Sequence, residues 1–548
     1  MTMHNNPDRL EKAPLVQMTE DLVLRLAGNP QIAEICGHAV AQQAEGSVCL
    51  PLTPQEREII ANSPVISCAP DDSGLFILDG DLLFARRYWK YEQAVRDTIL
   101  SLASNRYEKV PPIVRDGALA GMKDCQFEGV RVMCEYQLSL LTGGPGTGKT
   151  YTIARAVKLI QDQFPKWRLG LAAPTGKAAA RVRESMEREI QTLQLRTVME
   201  TSTIHTLLKS NYDLVTFKYN HDNPLPLDWL IVDEASMVDL PLMAKLLDAL
   251  PPKCRLTLVG DANQLASVEP GHVFGDLCNM PELQHCKCEL TESSRFPEFN
   301  PDGTPGEIFT LSEAVKAGQA DKVLAQLKQG TGKLVHYLEL DNRQRPSLWP
   351  NFQATVERLF AEFQRQTTPE GALLTVKDAN GRETRSAPLN DCRLLCAFRH
   401  GPYGVDAINT YLRELLGSRC PLPMMITKNE QSLDVSNGDV GVIMPDEPGY
   451  LYLPKPDNTV RRIPVELLPD MELAFASTVH KSQGSEFDNV IIVLPPDLDG
   501  GDGEALLTRE ILYTAITRTK KQLFIYAGDK TLRQCCENVI RRQTALLR

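Results

Sequence analysis

At 548 residues, 43% hydrophobic and 24% charged, the chain has room for about three or four globular domains. Its net charge of −11, from 59 basic against 70 acidic residues, argues against a protein that coats nucleic acid by bulk electrostatics, leaving only a local basic groove open. No apolar run is long enough to span a bilayer, and Met1 to Leu15 is polar with no signal-peptide core, so a cytoplasmic protein is expected.

Residues 1 to about 115 carry no nucleotide motif and read as a docking domain or a scaffold. Thr19 to Leu26 suggests a short amphipathic helix, and Leu75–Leu78, Asp79-Gly80 and Asp81–Phe84 suggest a β-hairpin on an Asp-Gly turn. Pro111-Pro112 marks a boundary. From about 120 to 295, apolar strands at Leu138–Leu141, Leu169–Ala173, Leu230–Val232 and Leu256–Val259 alternate with helical segments. Such alternation predicts an α/β fold with a mostly parallel sheet covered on both faces.

After the first of these strands comes Gly143-Gly144-Pro145-Gly146-Thr147-Gly148-Lys149-Thr150, followed by helix-forming sequence from Tyr151 to Leu159. This is the phosphate-binding loop pattern in its required strand–turn–helix setting. Glycines let backbone N–H groups turn inward around the β-phosphate, Lys149 brings a charge to the β/γ-phosphates, and Thr150 offers a hydroxyl to Mg²⁺. The expected ligands are therefore ATP and Mg²⁺.

Leu230-Ile-Val ends in Asp233-Glu234. Alone, two acids after a strand are often a solvated turn; after a phosphate loop, Asp233 is expected to hold Mg²⁺ and Glu234 to act as general base on water. Gly260-Asp-Ala-Asn-Gln264 follows the next strand, and the Gln264 amide can reach both γ-phosphate and water; the bland alternative is an exposed glutamine beside a helix cap. Arg295 and Arg518 are candidate arginine fingers, the planar donors that match spread γ-phosphate charge. If both reach one nucleotide, it sits in a cleft between two domains.

Residues 297–306 read as a loop. A second α/β region begins at Arg393–Phe398, continues with Val490–Val493 and closes with Gln522–Tyr526. Between about 420 and 472, short β-type runs are broken by Asn437-Gly438, Glu447-Pro-Gly449 and Pro454…Pro456, which predicts a small inserted β-barrel. Asp499–Gly503 reads as a surface loop with the wrong spacing for calcium. Ala173-Pro-Thr-Gly-Lys-Ala-Ala-Ala-Arg181 and Thr478–Phe487 expose hydroxyls, backbone N–H groups and Lys or His side chains suited to phosphodiester contact without base readout. Fourteen scattered cysteines include no C-x-x-C pair; His285-Cys-Lys-Cys288 and Cys392…Cys396 have no matching second pair, so buried, reduced thiols are expected rather than a metal site.

The phosphate loop, Ala-Ala-Pro-Thr-Gly-Lys-Ala-Ala-Ala-Arg, Val-Asp-Glu-Ala-Ser-Met, Thr-Val-His-Lys-Ser-Gln-Gly-Ser-Glu-Phe and Tyr-Thr-Ala-Ile-Thr-Arg together resemble the superfamily-one DNA helicases, and within them the RecD branch, over roughly residues 120–548. The resemblance implies two RecA-like motor domains at 116–295 and 296–548, a partner-docking N-terminal domain at 1–115 and an SH3-like barrel at 420–472, to which Asn437-Gly-Asp-Val-Gly441 contributes a turn. It gives Gln126, seventeen positions before Gly143, the role of reading adenine, and Glu486 that of contacting ribose. It places Thr175, Lys177, His205, Thr478 and His480 along a single-stranded DNA track. It further implies 5′-to-3′ polarity, RecB-like and RecC-like subunits as partners in a heterotrimeric helicase–nuclease, DNA ends as substrate, and a part in double-strand break repair by homologous recombination. Stand-alone members carry a longer N-terminal extension with helix-hairpin-helix units, for which this chain has no room. A stand-alone superfamily-one helicase and an ATPase that gates a nuclease complex remain the alternatives. No nuclease constellation is evident, so any nuclease activity is expected in a partner.

Overall fold

The computed structural model describes residues 14–68, 74–107, 110, 113–195, 200–210, 216–267, 269–295, 306–329, 333–341, 345–366, 374–377, 383–386, 392–454, 460–497 and 506–548. Pro111-Pro112, the Asp499–Gly503 loop and all but the last residue of the 297–306 loop lie outside these.

The chain opens with α1 (Pro14–Ala27) and α2 (Pro30–Ala44), packed on each other. Asn29 starts α2 by accepting the Gln31 N–H, with Pro30 at the first helical position, where its missing donor costs nothing. A four-stranded sheet follows, built from β1 (Cys49–Pro51), β2 (Ile66–Ser67), β3 (Phe76–Asp79) and β4 (Leu82–Ala85) in the order β1-β4-β3-β2, with α3 (Pro54–Ile60) between the first two. The expected hairpin is β3–β4, antiparallel, turning at Gly80 with φ +63°. α4 (Arg86–Ser104) then crosses to the next layer.

That layer is a six-stranded, wholly parallel sheet of β5 (Leu138–Gly143), β6 (Leu169–Ala173), β7 (Glu200–Thr203), β8 (Trp229–Val232), β9 (Arg255–Gly260) and β10 (Lys287–Leu290), in the order β10-β5-β9-β8-β6-β7. Its helices are α5 (Asp124–Glu135), α6 (Lys149–Gln163), α7 (Gly176–Leu193), α8 (Ile204–Leu208), α9 (Leu240–Asp248) and α10 (Val273–Asn279). Period-two alternation sends Leu230 and Val232 into the core shared with α4 and α9, and Trp229 and Ile231 into the opposite core under α5–α7. Each such buried side chain contributes about 1.5–3 kcal/mol.

Beyond α11 (Glu307–Lys316) and α12 (Ala320–Gln329) lies a five-stranded parallel sheet. Its strands, with their intervening elements, are β11 (Val335–Glu339), α13 (Phe352–Gln366), a small hairpin of β12 (Leu374–Lys377) and β13 (Glu383–Ser386), then β14 (Cys392–Cys396) and α14 (Val405–Leu416). The chain leaves this sheet after α14 to form an antiparallel sheet of β15 (Leu422–Ile426), β16 (Val440–Met444), β17 (Glu447–Pro454), β18 (Val460–Pro464) and β19 (Met471–Leu473). It returns as β20 (Ala476–Thr478), β21 (Phe487–Val493), α15 (Arg509–Ile516), β22 (Thr519–Ala527) and α16 (Asp529–Glu537), giving the order β11-β22-β21-β14-β20. One turn differs from expectation. Glu447-Pro-Gly449 does not break the strand but begins β17, and the hairpin turns instead at Pro445-Asp446. Register slips between Ile443 and Met444, so Pro448 falls in an irregularity where no N–H is required of it.

The cysteines are free thiols, all buried except Cys68 and Cys125. Burial pushes several of them up, Cys134 and Cys288 among them to about 12, so they stay protonated and inert. Among the described residues, no helix is long and apolar enough to cross a membrane.

Candidate active site

In the six-stranded sheet the chemistry-bearing segments all follow the carboxyl ends of strands, where α/β sheets open a crevice. β5 runs into the glycine loop, β6 into Thr175, β8 into Asp233, β9 into Asp261 and β10 into Arg295. Gly146 and Gly148 have φ of +75° and +86°. A Cβ at Gly146 would lie 2.4 Å from the Arg295 Cβ, and one at Gly148 would lie 2.5 Å from Gln126 Nε2, so glycine is required twice over. Lys149 begins α6 and donates to the Gly143 and Gly144 carbonyls at 2.7 and 3.2 Å, lying back along the loop. Ser293 Oγ and Ser294 Oγ brace the same loop through the Pro145 and Gly146 carbonyls, at 2.8 and 2.9 Å.

One cavity of about 450 Å³ gathers most of the expected residues. The loop from Pro145 to Thr150, Asp233, Glu234, Gln264 and Arg295 line it from the first large sheet, and Glu486 and Arg518 from the second. Gly143 and Gly144 face an adjoining cavity of about 460 Å³ instead. Gln126 does not reach the wall of the 450 Å³ cavity: it is buried behind the loop, where Nε2 donates to the Thr147 carbonyl at 3.1 Å and Oε1 accepts from Lys123 N at 3.3 Å.

Burial, and next the Glu234 carboxylate, push the Asp233 carboxyl up to about 6, against the pull of Lys149 and Arg181. Glu234 adopts a left-handed φ of +53°, rare for a residue with a Cβ, and its N–H donates to Asp233 Oδ1 at 2.8 Å. Glu486 pairs with Arg295 at 2.6 Å and also with Arg181. Burial pushes its carboxyl up, but the two arginines together outweigh that and hold it below the usual glutamate value. Arg518 is buried, with Nε donating to the Thr514 carbonyl and Nη1 to the Ser485 carbonyl, both at 3.2 Å.

The segments expected to meet DNA divide into three groups. Thr175 caps α7, accepting from Ala178 N at 3.2 Å. Beside it Gly176 closes on the Ser436 hydroxyl in the connection between β15 and β16, which a Cβ would approach to 3.1 Å. Burial, then Arg393, push the Lys177 ammonium down to about 8, with Asp439 opposing. His205 is exposed on α8, its ring 6.0 Å from that of Phe217. Thr478 Oγ1 accepts from Lys481 N at 3.3 Å, while His480 is partly buried, its pKa lowered by burial and by Arg542.

Two residues matter that the sequence reading left without roles. Arg181 reaches across the cleft, donating to the Gly484 carbonyl at 3.1 Å and pairing with Glu486. It stands one helical turn beyond Lys177, a spacing that puts both on one face of α7. Tyr513 stands on α15 just ahead of Arg518, and its hydroxyl donates to Asp261 Oδ2 at 3.1 Å. A helical reading of the Tyr-Thr-Ala-Ile-Thr-Arg segment was the available signal for it.

Fold and cavity define a P-loop protein whose phosphate loop opens into a cavity between two parallel α/β sheets. Residues 126–270 match an AAA domain and residues 473–526 a UvrD-like helicase C-terminal domain. The RecBCD enzyme subunit RecD of Mycolicibacterium smegmatis is 36% identical over 509 residues, spanning 89% of this chain and 85% of that one. RecD of Haemophilus influenzae is 33% identical, over 77% of this chain and 72% of its own length. The ATP-dependent RecD2 DNA helicase of Deinococcus radiodurans is 30% identical over 78% of this chain but only 52% of its own length. The chain belongs to the RecD family.

Proposed function

We propose that this chain is an ATP-dependent 5′-to-3′ DNA helicase that works as a subunit of a RecBCD-type helicase–nuclease. The observation that carries the reading is the convergence on one cavity of a phosphate loop, two acids and a glutamine from one sheet with Glu486 and Arg518 from the other. A nucleotide held there is gripped from both sides, so its hydrolysis alters the relation of the two sheets. The sheets correspond to motor domains at 116–295 and 296–548, with the antiparallel sheet as an SH3-like insert and residues 1–115 as the docking domain.

In this reading Lys149 and the loop N–H groups hold the β- and γ-phosphates. Glu234 takes a proton from water as the water oxygen attacks the γ-phosphorus; the bond to the β–γ bridging oxygen breaks, and ADP leaves with that electron pair. Gln264 orients the water, and Arg295 and Arg518 stabilise the charge spreading over the γ-phosphate oxygens. The buried Asp233 carboxylate, disfavoured as an anion, and the Thr150 hydroxyl on the same cavity wall suit Mg²⁺, which needs few protein ligands beside the phosphates. Bound there, the ion would neutralise phosphate charge. Gln126 and Glu486 serve adenine and ribose, which requires Gln126 to turn from Thr147 and Glu486 to share its arginines. Thr175, Lys177, His205, Thr478 and His480 contact the sugar–phosphate backbone, with His480 as a neutral donor or acceptor. Family membership supports RecB-like and RecC-like partners, a cytoplasmic setting and a part in break repair by recombination.

The test is ATPase rate with and without single-stranded DNA, alongside unwinding of 5′-tailed and 3′-tailed duplexes. Stimulation by DNA and unwinding from the 5′ tail alone are expected. Lys149→Gln is expected to lower the ATPase by at least about a hundredfold without changing fold or subunit assembly. A Lys149→Gln protein with undiminished DNA-stimulated ATPase would sink the assignment.

A further inference from the structure

The five residues Asp261–Leu265, which carry Gln264, are gripped from the opposite sheet at both ends. At one end Tyr513 Oη on α15 donates to Asp261 Oδ2 at 3.1 Å. At the other, Leu265 N donates to Thr514 Oγ1 at 2.9 Å, and the Leu265 carbonyl accepts from Gln483 Nε2 at 2.7 Å. Asp261 is buried and both its carboxylate oxygens are engaged. Oδ1 accepts from Asn263 N at 3.0 Å; Oδ2 accepts from Gln264 Nε2 at 3.0 Å as well as from Tyr513.

This arrangement decides which way the Gln264 amide faces. A carboxylate only accepts, so the half of the amide turned to Asp261 must be the NH₂, and Oε1 is the atom left for the cavity that Gln264 lines. An acceptor there holds a water by its O–H, leaving the water oxygen's lone pair for the phosphorus. The Tyr513 hydroxyl, buried and kept protonated by burial and then by Asp261, donates to the same oxygen and stops the carboxylate from turning away. The ring lies close to the phosphate loop too: a Cβ on Gly144 would come within 3.2 Å of Tyr513 Oη.

We infer that Tyr513 is a positioning residue for Gln264: its hydroxyl, delivered by the second sheet, fixes Asp261 and through it the glutamine that orients the attacking water. Asp261–Gln264 belongs to one sheet and Tyr513 to the other, so the relay is complete only when the cleft is closed. Hydrolysis is thereby tied to closure without any change in how tightly the phosphates are held. The inference rests on the reading of the cavity as an ATPase site.

The experiment is steady-state, DNA-stimulated ATPase of the full chain, with its partner subunits where assembly requires them, for wild type, Tyr513→Phe, Gln264→Ala and the double variant. Tyr513→Phe removes one oxygen and keeps the ring. It is expected to lower kcat about tenfold, the order of one oriented hydrogen bond, while KM for ATP stays within about twofold. In the Gln264→Ala background the same change is expected to have no further effect on kcat, since a residue acting through Gln264 has nothing left to position. Asp261→Ala, which removes the acceptor that Tyr513 and Gln264 Nε2 share, is the second variant; it is expected to give the same loss and the same non-additivity even if Tyr513→Phe does not fold. Wild-type kcat in Tyr513→Phe, a raised KM with unchanged kcat, or losses that multiply in the double variant would overturn the inference alone. A wild-type protein without ATPase would overturn the ATPase reading, and the inference with it.

Discussion

Glu486 sits between two guanidinium groups, Arg181 from the first sheet and Arg295 from the loop after it, and this makes it a structural joint as well as a candidate ribose contact. Its folded pKa lies below the unfolded one, so its contribution to stability is present above about pH 4.5 and is lost as pH falls through the depressed folded value. Replacing it by glutamine removes the anion that Arg181 and Arg295 share, a loss on the order of 2 kcal/mol after allowing for the partial exposure of Arg181. Thermal melts without nucleotide are therefore expected to place Glu486→Gln below wild type at pH 7, with the gap closing as pH is lowered below about 4.5. A gap that persists unchanged at low pH would mean that the carboxylate charge is not what joins the sheets. The joint was only half legible in sequence. Glu486 and Arg295 stand in segments whose chemistry was readable one by one, whereas the pairing of Arg181 with Glu486 spans some three hundred positions and has no local signature.

Legibility at the scale of elements followed burial. β5, β6, β8, β9 and β14 carry mostly buried apolar residues and fall where the sequence predicts them to within two residues, whereas β21 and β22 begin three residues before the apolar runs that mark them, with Phe-Asp-Asn and Thr-Lys-Lys. The edge strands β7, β10 and β11 bury less and mix in polar residues, as in Glu-Thr-Ser-Thr for β7, so no run marked them. β17 was misread because Pro448 and Gly449, ordinarily turn formers, occupy a register irregularity. α7 is the element on which cap and function coincide. Thr175 has an extended backbone and accepts the Ala178 N–H, and the following Lys-Ala-Ala-Ala-Arg carries the strongest helix formers. Thr175→Ala is expected to cost about 1 kcal/mol and Thr175→Ser very little. Urea unfolding in the absence of DNA measures this, and equal midpoints for the two variants would mean that the hydroxyl does not cap the helix.

The whole molecule is tied together by its last described segment. α16 packs with α12 and α15 in the second sheet's layer, and Ile540 N still donates to Glu510 of α15 at 3.2 Å. Two residues later Arg542 already belongs to the first sheet, donating to the carbonyls of Ser267, Glu269 and Gly271 at 2.6, 3.0 and 2.7 Å. Only Arg541 separates the two attachments, so a cleft that opens and closes has little slack at this edge and must open chiefly on the side away from it. Beyond Arg542, the Gln543 carbonyl accepts from Val48 N at 2.8 Å, and Ala545 N donates to the buried Glu92 at 2.9 Å. Leu546, 2% exposed, enters a core that already combines Ile77 and Phe84 of the N-terminal sheet with Leu138 and Leu256 of the first large sheet. Nothing in the local sequence distinguishes Leu546 from Leu547, which is 49% exposed; only the path of the chain does. Leu546→Ala is accordingly expected to cost about 3 kcal/mol, a cavity in a core shared by three parts of the chain, and Leu547→Ala less than about 0.5 kcal/mol. Because that core is common to both sheets, Leu546→Ala should shift the urea unfolding of the N-terminal layer and of the first large sheet together. Limited proteolysis that released the N-terminal layer while the large sheet kept its wild-type midpoint would instead show the segment to be a local clip rather than the seam on which both layers depend.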